Sequence, residues 1–295
     1  MNVRIGTRGS KLALWQAKHL QSKLYQNGFE STLLIIKTKG DQIQHLGFDK
    51  IEGKGFFTKE IEDALLANEI DVAVHSMKDL PTTMDEQLTI GGLSERADPS
   101  DILIIGKHAH DPQRRMRIKE GSIVGTSSIR RKVQLIHFAK SLRAVDIRGN
   151  VPTRIKKIDE GVVDAVILAS AGIDRLEIDL SEYITLRYNP AEFVPAPAQG
   201  VNAYQCRTND KSVRRILRSI HQSEVSKCTN IEREILRLLD GGCQLPLGAF
   251  VQKDNLGYHC HSVLGSTLGA PLKRYQYSQS TSAGMAAHIV SQLKL

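Results

Sequence analysis

Short apolar runs of strand length alternate along this chain with amphipathic helical segments, and that alternation restricts it to an α/β architecture built on sheets. Residues 3–5 read as a strand. Ser10 reads as the N-cap of a helix ending near Gly28, with Ala13, Ala17, Leu20 and Leu24 on one face. A strand over 32–38, a helix over 57–68 with Ile61, Leu65 and Leu66 inward, a buried strand over 70–74 and one further strand continue the pattern. The polar stretch 94–101 then reads as a crossing into a second α/β unit. That unit comprises strands over 102–105 and up to Gly125, a helix over 128–139, a strand over 144–147, a helix over 151–159, a strand over 165–168 and a short helix from Ala171. Pro195-Ala196-Pro197-Ala198-Gln199-Gly200 is a stiff connector suited to a return crossing. Helices over 212–221 and 230–239, strands over 249–251 and 257–264, and a last helix packing Met285, Ile289 and Leu293 complete the chain.

With 295 residues there is material for two domains, or for three small ones. No apolar run approaches the roughly 20 residues of a membrane span. Met1-Asn2-Val3-Arg4-Ile5-Gly6 enters a strand pattern at once, without a signal-like segment. Cys206, Cys228, Cys243 and Cys260 lie far apart with no CxxC spacing, so reduced thiols and a cytoplasmic location are expected. His259 with His261, and His108 with His110, lack further ligands at metal spacing, so no metal is expected. The net charge of +8 suits an anionic partner. Its cations recur in loops beside Gly, Ser and Thr, with no long basic tract or aromatic platform, which favours discrete anion pockets over a nucleic-acid groove.

Three loops carry arginine at the start of a helix. In Gly6-Thr7-Arg8-Gly9-Ser10, Arg8 and Ser10 either bind an anion at the helix N-terminus or simply cap it beside a solvated arginine. Gly125-Thr126-Ser127-Ser128-Ile129-Arg130-Arg131 puts two guanidiniums in a first helical turn, where they oppose the helix dipole unless a carboxylate meets them. Arg148-Gly149-Asn150-Val151-Pro152-Thr153-Arg154 repeats the design, with Asn150 as cap. Lys54, in Gly53-Lys54-Gly55, belongs to a basic loop that is either a lid or a solvated turn. His75-Ser76-Met77-Lys78-Asp79-Leu80-Pro81 ends a buried strand on Asp79, a general acid–base candidate or a partner for Lys78. The carboxyl end of a strand favours function, because ligands of open α/β sheets gather there. In Gly241-Gly242-Cys243-Gln244-Leu245-Pro246 the glycines let the backbone present the Cys243 sulfur to a cleft; the other cysteines read as small buried hydrophobes.

Taken in order, TRGSKLA (7–13), KGD (39–41), GKGFFTKEIE (53–62), DVAVHSMKDLP (71–81), GTSSIRR (125–131), DIRGNVPTR (146–154), DAVILASAGIDRL (164–176) and LDGGCQLPLG (239–248) resemble the porphobilinogen deaminase (hydroxymethylbilane synthase) family over nearly the whole chain. The resemblance implies two α/β domains like those of periplasmic binding proteins plus a smaller C-terminal α/β domain carrying the cofactor cysteine. It divides the chain into 1–96 with 195–217, 97–194, and 218–295. It implies a dipyrromethane cofactor bound by thioether to Cys243, and Asp79 as the residue that stabilises charge on pyrrole nitrogens and moves protons. Arg8, Ser10, Lys54, Thr126, Ser127, Ser128, Arg130, Arg131, Arg148, Arg154 and Arg175 would bind the acetate and propionate groups of porphobilinogen and of the growing polypyrrole chain. A monomer of the haem pathway, with no nucleic-acid or membrane partner, is expected.

Two departures stand out. The family commonly has Gly where this chain has Ala198, which stiffens a hinge, and Glu where it has Gln205, which removes a charge nearby. The rival readings are a non-catalytic binding protein for an anionic small molecule, which needs no adduct on Cys243, and a nucleic-acid-binding protein, which leaves the Gly-Gly-Cys loop unexplained.

Overall fold

The structure, a computed structural model, describes residues 2–37, 58–241 and 245–294. The chain forms two compact units, Met1–Ala97 with Gly200–Ser226, and Asp98–Gln199 with Lys227–Leu295.

The first unit is built on a five-stranded sheet. Strands β1 (Asn2–Thr7), β2 (Glu30–Ile35) and β3 (Val72–Ser76) are parallel in the order β2-β1-β3, and β4 (Leu88–Leu93) forms the far edge. Between β3 and β4 lies β10 (Asn202–Arg207), antiparallel to both. Helix α1 (Lys11–Gln26) starts at the Ser10 cap, whose hydroxyl accepts from Ala13 N, and buries Ala17, Leu20 and Leu24 on the sheet. Those side chains join Val3, Ile5, Val72, Val74 and Tyr204 in one core, and each fully buried leucine contributes about 2 kcal/mol. Helix α2 (Lys59–Leu66) covers the other face through Ile61 and Leu65, while α6 (Lys211–Ser219) adds Val213 and Leu217 to the first core.

The second unit repeats the plan. Strands β7 (Arg143–Val145), β6 (Ile123–Gly125) and β8 (Ala165–Ala169) are parallel neighbours in that order. Next come β5 (Asp101–Gly106), antiparallel to β8, and β9 (Tyr183–Arg187) at the edge. Helices α3 (Ile129–Phe138), α4 (Val151–Asp159) and α5 (Ser170–Arg175) follow β6, β7 and β8. In both sheets the antiparallel inner strand, β10 or β5, is the first strand after the chain passes from one unit to the other. This is the paired mixed α/β architecture expected from the sequence.

The second unit also holds an antiparallel sheet of β11 (Leu247–Lys253), β12 (Tyr258–Leu264) and β13 (Lys273–Gln279). Helices α7 (Ser223–Leu238) and α8 (Met285–Lys294) pack on one face around Ile235, Cys260 and Ile289; the other face packs Phe250 and Val263 on Val194. Helix α7 is longer than expected, and β9, β10 and β13 are strands that the apolar pattern did not announce. The stretch 94–101 is not wholly a polar crossing either: Asp101 opens β5 and is completely buried. Cys206, Cys228 and Cys260 are buried free thiols, and burial pushes Cys206 up to about 11. Among the described residues no helix is long and apolar enough to cross a membrane, and no cluster of His, Cys, Asp or Glu is arranged for a metal.

Candidate active site

In each unit the candidate residues follow the carboxyl ends of parallel strands, where helix N-termini expose free N–H groups. In the first unit, Arg8 and Ser10 follow β1 and Asp79 follows its neighbour β3. Asp79 sits in a one-turn 3-10 segment, Met77–Asp79, fixed where Met77 N donates to Val201 O and Leu80 N to Met77 O. Its carboxylate is exposed and makes no hydrogen bond or ion pair with any described residue, so the alternative of a Lys78–Asp79 pair is not what the chain adopts.

Behind this turn lies a buried polar relay that sequence reasoning missed. His75, only 7% exposed, sits on β3 four positions before Asp79. Gln205 Nε2 donates to Glu62 Oε1 (2.8 Å), leaving Gln205 Oε1 to accept from His75 Nε2 (3.1 Å), which fixes the ring proton on Nε2. Burial, reinforced by the positive charge of Arg8, pushes His75 down to about 4, so it stays neutral in ordinary buffers.

In the second unit the loops after β6, β7 and β8 are brought side by side by the parallel pairing. The loop after β6 carries Thr126, Ser127 and Ser128, and the last of these caps α3 by accepting from Arg131 N. Ser127 Oγ donates to Ile147 O (2.6 Å) and accepts from Ile147 N (3.2 Å), tying this loop to the one after β7. Thr126 Oγ1 accepts from Ser128 N. The Ser127 hydroxyl proton is therefore committed, whereas among the described residues Thr126 and Ser128 act only as acceptors, Thr126 from a fully buried position.

Arg130 and Arg131 depart from the expectation of arginines waiting for a bound carboxylate. Both are buried, and the carboxylate they meet is Asp101 of the chain itself. Arg130 Nη1 donates to Asp101 Oδ2 at 2.6 Å and to Val194 O at 2.9 Å. Arg131 Nη2 and Nε both reach Asp101 Oδ1, at 2.8 and 3.1 Å. Gln199 Nε2 donates to the same oxygen at 2.9 Å and to Pro99 O at 2.8 Å. Burial alone would raise the Asp101 pKa, but the charges and hydrogen bonds of the two guanidiniums hold it well below the usual carboxylate range. Two guanidiniums against one carboxylate still leave one positive charge beside the capped start of α3. The signal in the sequence was an aspartate opening an otherwise apolar strand, Asp101-Ile102-Leu103-Ile104-Ile105.

The loop after β7 carries Arg148 and the Asn150 cap, which accepts from Thr153 N. Gly149 takes φ +108°, a left-handed conformation that turns the chain into α4, and Arg154 Nε folds back onto Gly149 O at 2.7 Å. Arg175 ends α5 after β8 and is half-buried. Lys54 and Cys243 lie outside the described residues. Just before Cys243, the left-handed residue is Asp240 (φ 51°); at Gly241 a Cβ would lie 2.5 Å from a Leu245 methyl and 2.8 Å from a Leu236 methyl, so a side chain there would displace both leucines.

Residues 3–215 match the family described as porphobilinogen deaminase, dipyromethane cofactor binding domain. The porphobilinogen deaminase of Chloroherpeton thalassium is 42% identical over 268 residues, covering 90% of this chain and 83% of its own. That of Desulforudis audaxviator is 41% identical over 94% of this chain and 88% of its own, and that of Pelobacter propionicus 43% identical over 84% and 78%. Among solved structures, the methionine-binding protein MetQ superposes on 79% of this chain and 94% of its own with a TM-score of 0.46 at 11% identity.

Proposed function

The chain belongs to the porphobilinogen deaminase family, and from that premise we propose that it joins four porphobilinogen molecules head to tail with loss of ammonia and releases hydroxymethylbilane by hydrolysis. It is a transferase of tetrapyrrole biosynthesis, and its cofactor is a dipyrromethane. In this reading 1–96 with 195–217 carry the catalytic aspartate, 97–194 bind the carboxylates, and 218–295 carry the cofactor on Cys243.

The donors described here fit such a polycarboxylate. The uncompensated charge of the Arg130–Asp101–Arg131 group, the O–H group of Ser128, Arg148 on the adjoining loop and Arg154 in the first turn of α4 form a graded set of anion donors after adjacent strands. Arg131 and Arg130 are buried and fixed on Asp101, so what they offer an acetate or propionate is the net positive charge left over from that group, held in place before the substrate arrives. When bound, the dipyrromethane supplies the nucleophilic pyrrole carbon from which the chain grows. Asp79 Oδ stabilises the positive charge that develops on the porphobilinogen ring as ammonia departs, and it accepts the proton released at coupling. Neutral His75 keeps a second positive charge away from Arg8.

The support that carries this reading is similarity to deaminases running through the segments that bear Asp79 and the arginine loops. We further take the enzyme to be a cytoplasmic monomer, which light scattering after gel filtration tests. The main experiment is the intact mass of the purified protein before and after incubation with porphobilinogen, with peptide mapping. An adduct of two linked pyrroles on Cys243, with ammonia and hydroxymethylbilane released, is expected. A protein that gains no adduct and releases no ammonia would return the binding-protein reading to first place.

A further inference from the structure

A second group of cations lies at the opposite end of α3 from its Ser128 cap. Helix α3 has 10 residues, about 15 Å of axial rise, and ends on Phe138. The Arg115 guanidinium carbon lies 4.9 Å from the Phe138 ring centroid and that of Arg274, on β13, lies 5.8 Å from it. Phe138 is itself held by Phe193, with centroids 6.1 Å apart, and meets His137 edge-on at 5.3 Å. Arg274 is fixed from behind, because its Nη2 donates to Glu192 O (2.7 Å) and Ala191 O (3.1 Å).

These groups repel one another. Burial and then the charges of Arg274, Arg115 and Lys140 push His137 down. Burial also pushes Arg274 down; Glu192 works against that, and Arg115 adds to it. His261, on the same face of the three-stranded sheet as Arg274, is pushed down by burial, by Arg274 and by His259. Among the described residues no carboxylate forms an ion pair with Arg115, Lys140, His137 or Arg274. The C-terminal dipole of α3 presents only about half a negative charge. It offsets one cation in part, Glu192 offsets Arg274 in part, and positive charge remains in excess.

We propose that Arg115, Arg274 and His137 form an anion site distinct from the arginine loops of the catalytic face, suited to a compact dianion of the phosphate class, either inorganic phosphate or the phosphate of a monoester. Stacking on Phe138 orients the guanidinium planes and leaves their N–H edges for oxygen acceptors. Phosphate offers those oxygens and a charge of up to two, which relieves the repulsion among the cations.

The test uses the cofactor-loaded enzyme at constant ionic strength, titrated calorimetrically with inorganic phosphate and, separately, with glycerol 3-phosphate, while His137 is followed by NMR. In the parent, phosphate should bind and raise the His137 pKa by about one unit. Arg115→Ala removes an exposed stacking cation; it should weaken phosphate at least tenfold, abolish the His137 shift and leave porphobilinogen turnover in phosphate-free buffer within about twofold. Arg115→Lys should retain part of the affinity. Binding of both probes assigns the site to monoesters, and binding of inorganic phosphate alone assigns it to the free ion. Equal phosphate affinity in Arg115→Ala, or a His137 signal that ignores phosphate, overturns the proposal.

Discussion

Asp79 carries a negative charge at the end of β3 with no described cation against it, which suits a group that must meet charge appearing on a substrate. Asp79→Asn keeps the shape and removes the charge. It should lower kcat by about 10²–10⁴ with KM within a few-fold, as measured by single-turnover ammonia release. Near-parental kcat would exclude Asp79 from proton transfer. His75 sets a pH dependence of stability. Its folded pKa of about 4 lies below the unfolded value of 6.5, so the unfolded chain binds the proton first, and stability is lost as pH falls from about 6.5 towards 4. The loss should approach roughly 3 kcal/mol across that window, read from urea midpoints. Gln205→Glu would set a carboxylate beside both His75 and Glu62; the His75 NMR titration should then move upward, and a titration still centred near 4 would contradict the relay. Ala198 occupies φ 61°, is fully buried and donates its N–H to Glu232 Oε2 at 2.6 Å. Ala198→Gly keeps that bond and relieves the left-handed backbone, and should stabilise the protein by about 1 kcal/mol in urea unfolding.

At the scale of elements, α3 begins on two arginines against its own dipole, and the strand beside it supplies the answer in Asp101. Asp101→Asn would leave two buried guanidiniums sharing a neutral amide and should cost about 3–5 kcal/mol in unfolding free energy. A loss below about 1 kcal/mol would mean that solvent reaches the pair. The same pair marks the limit of what the sequence discloses. Strands such as β5 and β8, helices such as α1 and α4, and the caps Ser10 and Asn150 depend on local pattern and were readable. The strand β10 was not. It is a strand because β3 and β4 flank it, and its buried Asn202 and Gln205 find partners in Gln16, His75 and Glu62 from distant segments. Asp101 likewise meets arginines 29 and 30 positions away. The motifs indicated which loops matter, whereas the division between arginines held by the fold and arginines facing outward was written only in three dimensions.

For the molecule as a whole, the proposed function sets the net charge of +8 and the arginine loops against a substrate bearing carboxylates. Added salt should therefore raise KM for porphobilinogen several-fold between low and moderate ionic strength, with kcat changing far less. A KM indifferent to salt would assign recognition to short-range contacts alone. The buried carboxylate of Asp101 carries a further consequence, one of history. Arg130, Arg131 and Gln199 all close on it, so replacing any one of the four strands a polar group in the interior while the other three remain. Drift at these positions cannot proceed by independent small steps. A lineage keeps the quartet together or crosses to another arrangement by changing several members at nearly the same time, so this knot of side chains should outlast much of the surface around it.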